Sequence, residues 1–344
     1  MDNLFLELLQ ISLGNRVSLS KIPSRKEWLY LLDIAQQQAI VGVLVNGIDK
    51  LPKEQIPEQE VLLQWIGVSQ MIAVTYHNYY QRSRELTALF EEVGFRSCVL
   101  KGIVLAQLYP DPSSRQCGDI DLWIEGDRRK IMSWLRSKYQ LNHVVWHNVS
   151  VQIFNDVPVE VHFHPGWLYN PFHNFKLQQW FEREKANILR NVNKTLGVSV
   201  PSVEFNAVYS LVHSYRHLIA EGVGLRYVVD YYFILRVLST DKRTEVLFLL
   251  RQFGLIKFAR GLMWILQNVC RMPTDYLLCE PDEREGRFLV RVILQGGNFG
   301  HYRKDNLKYN NLVRWLVMFK HYPNEVLWII PWKIWHRCWR FLNT

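Results

Sequence analysis

Two aspartates one residue apart stand in the run Gly118-Asp119-Ile120-Asp121-Leu122-Trp123-Ile124. Side chains at i and i+2 of a strand share a face. Asp119 and Asp121 therefore point one way, and Ile120 and Leu122 the other. Two adjacent carboxylates repel unless a cation lies between them. Hard oxygen ligands suit Mg²⁺, which binds through one or two carboxylates plus substrate phosphates. Further on, Val157-Pro158-Val159-Glu160-Val161-His162-Phe163-His164 alternates in the same way and puts Glu160, His162 and His164 on one face. Set on a neighbouring strand, Glu160 supplies a third carboxylate. Such a trio can hold two metals, one activating an attacking hydroxyl and the other steadying a triphosphate and its leaving pyrophosphate. Upstream, Val99-Leu100-Lys101-Gly102 reads as a strand that ends in a glycine turn before a helix. Glycine there lets a phosphate approach the backbone, a helix N-terminus favours negative charge, and Lys101 can neutralise a phosphate oxygen.

Other residues of chemical interest have a plainer reading beside the sharp one. His162 and His164 titrate near neutrality and suit a metal or a general base; equally, a strand can expose them as ordinary polar residues. His213 and His217 have the i, i+4 spacing of two zinc ligands, but Ser214 stands where the glutamate of the metalloprotease motif belongs. A packed or substrate-lining role fits them better. Arg226 and Asp230 are also i and i+4, and a salt bridge within one helix is the default for them; contact with a nucleotide is the alternative. Gly222 and Gly224 lack the third glycine and the preceding strand of a dinucleotide fingerprint. Gly296-Gly297-Asn298-Phe299-Gly300 is a turn, and with His301, Arg303 and Lys304 after it an anion cradle is the sharper alternative.

The elements that must position these residues follow from periodicity. Residues 1–95 read as helical. Leu4, Leu8 and Ile11 share a face, Ser24 with Glu27 forms a capping box, and a long helix opened by Pro57 runs through Trp65, Ile72, Tyr76 and Leu86 to Phe90, with Gly94 as its stop. From 96 to 165 short apolar, β-branched runs alternate with turns: 95–100, 122–124, 143–146, 149–154 and 157–163 as strands, with helices over 103–109 and 127–138. From 166 to 344 helices return, over 204–217, 225–238, 241–253 and 256–270, and end in a tail from Arg314. There Trp315, Phe319, Trp328, Trp332, Trp335 and Trp339 interleave with Lys320, Lys333, Arg337 and Arg340. That mixture suits a membrane surface, a partner protein or stacking on single-stranded nucleic acid; it also suits a terminal helix pair packed on the core, with cationic stems over apolar area.

The chain of 344 residues is 49% hydrophobic and 21% charged, a globular composition. Lysine plus arginine outnumber aspartate plus glutamate 41 to 32, a net charge of +9 that favours anionic partners such as nucleotide, nucleic acid or an acidic membrane. Five cysteines with no CxxC pair suggest neither a disulfide framework nor a zinc knuckle, and fit reduced thiols in a cytosol. Asp2 and Glu7 interrupt the first apolar stretch, so a secretory signal is not expected, and no uncharged apolar run is long enough to span a membrane.

The order of strand, glycine turn, helix, acidic-hydrophobic-acidic strand and later acidic strand resembles the polymerase-β-like nucleotidyltransferases. The chain is particularly similar to their bacterial branch of uncharacterised nucleotidyltransferase family proteins, at LKGIVLAQLYPDPSSRQCGDIDLWI, at VEVHFHP and at LRYVVDYYFIL. The resemblance implies an α+β fold: a small mixed sheet as nucleotidyltransferase core, flanked by N- and C-terminal helical regions. It implies Asp119, Asp121 and Glu160 as catalytic metal ligands for Mg²⁺ or Mn²⁺. Gly102, Lys101 and Arg115 are implied as phosphate-handling residues, with Arg115 as the family-like basic residue before the acidic pair. The implied reaction moves an NMP group from an NTP such as ATP to a hydroxyl of an unidentified acceptor (protein, RNA, sugar or other small molecule). A non-catalytic nucleotide- or partner-binding module is the alternative on the same fold. The turn departs from the wider superfamily pattern, because Lys101-Gly102-Ile103 lacks the usual second glycine or small hydroxyl, and the stretch from Gly102 to Asp119 is long.

Overall fold

A computed structural model describes residues 2–302 and 311–343; Arg303, Lys304 and Thr344 lie outside the described residues. The N-terminal part is helical: α1 (Asp2–Ser12), α2 (Arg25–Gln37), α3 (Val41–Ile48) and the long α4 (Gln59–Glu92). The Ser24/Glu27 capping box forms, the Ser24 hydroxyl accepting from the Glu27 backbone and the Glu27 carboxylate accepting from the Ser24 backbone. Trp28 of α2 meets Trp65 of α4 edge-on at 6.1 Å, a geometry that suits the ring quadrupoles. Helix α4 begins two residues after Pro57, and Gly94 ends it with φ +83°.

Helix α3 is apolar on every side, VGVLVNGI, so a search for helical periodicity passes over it. Its glycines allow two close approaches. A Cβ on Gly47 would meet the Ser12 hydroxyl of α1 at 2.2 Å, and one on Gly42 would meet the Ser114 carbonyl at 2.4 Å. The second contact fixes the turn over 112–114 that precedes the acidic strand.

The core then follows: β1 (Ser97–Leu100), α5 (Gly102–Ala106), β2 (Ile120–Ile124), α6 (Arg128–Lys138), β3 (Gln140–Val144), β4 (Asn148–Gln152) and β5 (Val159–His162). The strands form one mixed sheet in the order β1-β2-β5-β4-β3, with β2 and β5 parallel and the other pairs antiparallel. The edge strand β3 starts three residues earlier than its apolar run suggests. It is mostly exposed and broken by an irregularity between Leu141 and His143, which weakens its sequence signal. One face of the sheet buries Ile120, Leu122, Val149, Val159 and Val161 with Leu86 and Phe90 of α4 and Ile131 and Leu135 of α6.

The opposite face meets the C-terminal helices: α7 (Pro171–Ile188), a small hairpin β6 (Val192–Asn193) and β7 (Val198–Ser199), α8 (Val203–Ala220), α9 (Leu225–Val237), α10 (Thr240–Gln252), α11 (Ile256–Asn268), α12 (Glu283–Gly296), α13 (Asn311–His321), α14 (Pro323–Val326) and α15 (Ile329–Asn343). Trp123 of β2 stacks on Phe205 of α8 and meets Phe181 of α7 edge-on. The fold is thus α+β, a small mixed sheet held between helical flanks. Among the described residues no helix is long and apolar enough to cross a membrane, and the five cysteines are free thiols.

The tail helix α15 divides its faces. Its inner rings pack: Trp332 stacks on Trp167 at 3.9 Å, and His336 on Trp332 at 4.6 Å. Lys333 lies over the Trp315 ring and Arg128 over the Trp339 ring. Its outer residues Ile330, Ile334 and Phe341 are exposed. Just before it, the buried Glu325 accepts from the backbone amides of Tyr169 and Asn170.

Two outcomes follow. Gly42→Ala forces the 112–114 turn away and should cost about 1–3 kcal/mol in urea unfolding. Burial raises the Glu325 carboxyl from its ordinary 4.5 to about 7, against the pull of the two amides. A raised folded pKa means stability that is complete below the unfolded value and lost as pH rises through the folded one. The stability of the wild type relative to Glu325→Gln should therefore fall between pH 4.5 and 8, by on the order of 3 kcal/mol, in denaturant titrations across that range.

Candidate active site

The acidic residues meet because β2 and β5 pair in parallel with Asp121 opposite Glu160. On the other side of β2, Leu100 lies opposite Asp121, so the next residue, Lys101, reaches the same place. On the other side of β5, Asn148 lies opposite His162. The sheet thereby draws Lys101, Asp119, Asp121, Asn148, Glu160 and His162 to one wall of a cavity of about 560 Å³. Helices α8 and α9 form the facing wall, with His213, Arg216, His217, Arg226 and Tyr227, and Phe299 and His301 close one end.

Asp121 is 1% exposed. Its Oδ2 receives the Lys101 ammonium at 2.8 Å and its Oδ1 the His162 Nε2 at 2.8 Å. His162 also reaches Glu160 at 3.4 Å, and Asn148 donates to Glu160. The donor atoms of Asp121, Glu160 and His162 all lie within 4.8 Å of one another. Burial penalises every charge here, and the pairing decides each outcome. Burial works to raise Asp121, but Lys101 and His162 hold it well below the usual carboxylate range. Burial likewise works against the Lys101 ammonium, and Asp121 overrules it, so Lys101 stays charged. His162 rises to about 9, its burial outweighed by hydrogen bonds to Asp121 and Glu160. Glu160 is lowered, burial again losing to His162. Asp119 goes the other way, pushed to about 6 by burial and then by the neighbouring Asp121 charge.

The Lys101-Gly102 turn has two successive positive φ values, +50° and +37°. A non-glycine residue pays about 1–3 kcal/mol for such a backbone, and here it directs the Lys101 side chain onto Asp121 with His213 Nε2 3.4 Å from the ammonium.

Arg115 lies in the cavity wall, locked onto Asp230 through Nε at 2.7 Å and Nη2 at 2.8 Å, while Tyr109 donates to the same carboxylate at 2.6 Å. The expected Arg226–Asp230 bridge within α9 is absent. Asp230 turns to Arg115, whose planar fork matches a carboxylate in two bonds, and Arg226 donates to the Gln116 carbonyl at 2.8 Å. The long stretch from Gly102 to Asp119 is therefore tied at several points, also by Gln107 to Tyr76 and by Tyr79 to the Gly118 carbonyl. His213 and His217 are both held below their ordinary pKa, chiefly by burial, and line the cavity as neutral rings. His164 leaves the sheet face and stacks on Trp146 at 4.3 Å.

The two glycine-rich segments are one contact. A Cβ on Gly222 would meet the Gly300 Cα at 2.9 Å, and one on Gly224 the Asn298 Cα at 3.1 Å. That approach sets Phe299 at the cavity edge. A second depression of about 530 Å³ runs along β4 and β5 past Asn142, Ser150 and Gln152 and shares Gly118, Asp119 and Glu160 with the first.

Asn148 and Arg216 carried no usable site signal in the sequence, while Arg226 was marked only by its i, i+4 spacing to Asp230. The alternation that singled out Glu160 carried His162 with it. Asp230→Asn leaves the Arg115 guanidinium buried without its counter-charge and should cost about 3–5 kcal/mol of folding stability, measured by guanidinium titration, with Arg115→Met/Asp230→Leu recovering most of it.

Residues 24–271 match the family described as uncharacterised nucleotidyltransferase. An antigenic nucleotidyltransferase-like protein from Paracoccidioides brasiliensis is 15% identical, with 56% of this chain and 91% of that one covered at a TM-score of 0.30. A CCA-adding enzyme solved with CTP is 14% identical, with 76% and 80% covered at a TM-score of 0.20. No curated protein matches the chain. The family match spans α2 to the end of α11 and contains every residue of the acidic wall, and on it the chain belongs to the uncharacterised nucleotidyltransferases.

Proposed function

We propose that this protein transfers a nucleotidyl group from a nucleoside triphosphate to a hydroxyl. The observation that carries the reading is the parallel register of β2 on β5, which sets Asp121 beside Glu160 with Asp119 two residues away at the rim of the same cavity. The donors fit a divalent cation: two carboxylates and an imidazole converge within 4.8 Å, and the buried Asp121 already draws two positive groups to itself. Carboxylate oxygens suit Mg²⁺ and Mn²⁺, and His162 would join them only after losing its proton. Asp121 and Glu160 would hold the cation, with Asp119 or His162 beside them. When bound, it would supply charge for the phosphates and acidify the attacking hydroxyl.

The chain's own groups supply the rest. The acceptor oxygen attacks the α-phosphorus, the bond to the β-phosphate oxygen breaks, and pyrophosphate leaves. Asp119, on the same wall of the cavity, takes the hydroxyl proton as the base. Lys101 moves from Asp121 to a phosphate oxygen, and Gly102 lets that phosphate approach the turn. Arg115 is fixed on Asp230 as a charge-neutral pair, so it stiffens the wall behind the phosphates and leaves their charge to Lys101.

A second reading is a nucleotide-holding module without turnover. It is favoured by the Lys101–Asp121 ion pair, which already neutralises the carboxylate that a cation would need.

One experiment separates them. The wild type, Asp121→Asn and Asp119→Ala/Asp121→Ala are incubated with α-labelled nucleoside triphosphates, a lysate fraction, and Mg²⁺ or Mn²⁺. Label transfer with pyrophosphate release is expected for the wild type. It should fall about 100-fold or more in the variants, the several kcal/mol that metal-held charge supplies, and stop with chelator, while circular dichroism stays unchanged. Nucleotide binding by calorimetry with no transfer onto any fraction would establish the second reading instead.

A further inference from the structure

Arg226 lies in the first turn of α9 and is 8% exposed. Its Nη1 donates to the Gln116 carbonyl at 2.8 Å, and its buried Nε has no acceptor. The Tyr227 phenol beside it is kept neutral by burial, and Asp119 attracts the guanidinium only from beyond ion-pair distance. Among the described residues no carboxylate lies within ion-pair distance of it, whereas Arg115, equally buried, is saturated by Asp230. A guanidinium carries five donors and never loses its charge. Enclosing one without a counter-charge in contact is costly, so a fold that does so holds a place for an anion.

The place has walls. The guanidinium carbon lies 5.4 Å from the Tyr227 ring centre and 5.9 Å from that of Phe299. Phe299 is held there in a left-handed backbone, φ +54°, by the glycine contact between the 222–224 and 297–300 segments. A Cβ on Gly118 would sit 4.0 Å from Arg226 Nη1, which puts the guanidinium beside the residue preceding Asp119. From α8, Arg216 also lines the cavity without a carboxylate partner among the described residues, its Nη2 3.4 Å from His217 Nε2.

We propose that Arg226, assisted by Arg216, forms an anion subsite that receives a phosphate group across the cavity from the acidic wall. The planar fork of arginine suits phosphate oxygens in two bonds. The identity of the ligand rests on the nucleotidyltransferase reading; the existence of the subsite does not. Two sources offer the same chemistry: the terminal phosphates of the nucleotide, or a phosphate carried by the acceptor.

The test is calorimetry and thermal unfolding of the full chain in chelator, so that no cation contributes. Tripolyphosphate should bind the wild type and raise its Tm. Arg226→Met should weaken that binding at least 10-fold, Arg226→Lys less, and Asp121→Asn should leave it intact. Loss of tripolyphosphate and ATP together in Arg226→Met assigns the subsite to the nucleotide tail. If inorganic phosphate still binds the wild type beside a saturating non-hydrolysable ATP analogue, and only that binding is lost in Arg226→Met, the subsite takes the acceptor's phosphate. Equal binding of all three probes by wild type and Arg226→Met overturns the proposal. So does the absence of any rise in wild-type Tm with tripolyphosphate, whether or not the variants fold. Failure of label transfer with Arg226-dependent binding intact would sink the enzymatic reading alone.

Discussion

A charge taken out of water must meet its opposite, and this requirement organises the centre of the molecule. Asp121 is answered by Lys101 and His162, Asp230 by Arg115, Glu160 by His162. Lys101 answers Asp121 from the turn after β1 and His162 from the end of β5, and Asp230 of α9 is answered by Arg115 from the stretch before β2. The Arg115–Asp230 pair joins the approach to β2 with the helical region that faces the sheet, and the cavity lies between them. Arg226 stands outside this pattern of satisfied pairs.

The helices earn their place by holding those charges at fixed distances. Helix α3 presses on the 112–114 turn through Gly42, α4 ties down Gly118 and Gln107 through Tyr79 and Tyr76, and α8 closes over Trp123 with Phe205. A loop of this length between α5 and β2 would ordinarily wander. Here buried contacts bind it at both ends, so Asp119 and Asp121 emerge from a rigid approach.

What was legible in the sequence was local. The i, i+2 spacing of Asp119 and Asp121, the capping box at Ser24 and the stop at Gly94 are rules of neighbouring residues and took the expected form, while the alternation around Glu160 held through His162 and ended at His164. The pairing of β2 with β5 joins residues about forty apart, and no local pattern announces its direction or register. The Arg115–Asp230 bond spans 115 residues. The i, i+4 rule assigned Asp230 to Arg226 because spacing cannot weigh a buried bidentate partner against an adjacent one. Helix α3 escaped notice because a helix buried on all sides has no stripe, and its two glycines, poor helix formers, are there for the approach of other backbones. In the tail the inner rings pack on Trp167, as the packed-helix reading expects, and the outer face meets solvent.

Asp119 and Glu160 border both depressions, the one under α8 and α9 and the one along β4 and β5. A carboxylate pair standing in a doorway between two rooms can be reached from either. A molecule filling the larger room leaves the smaller one open. On the transfer proposed above, such an enclosure would impose no compulsory order of entry.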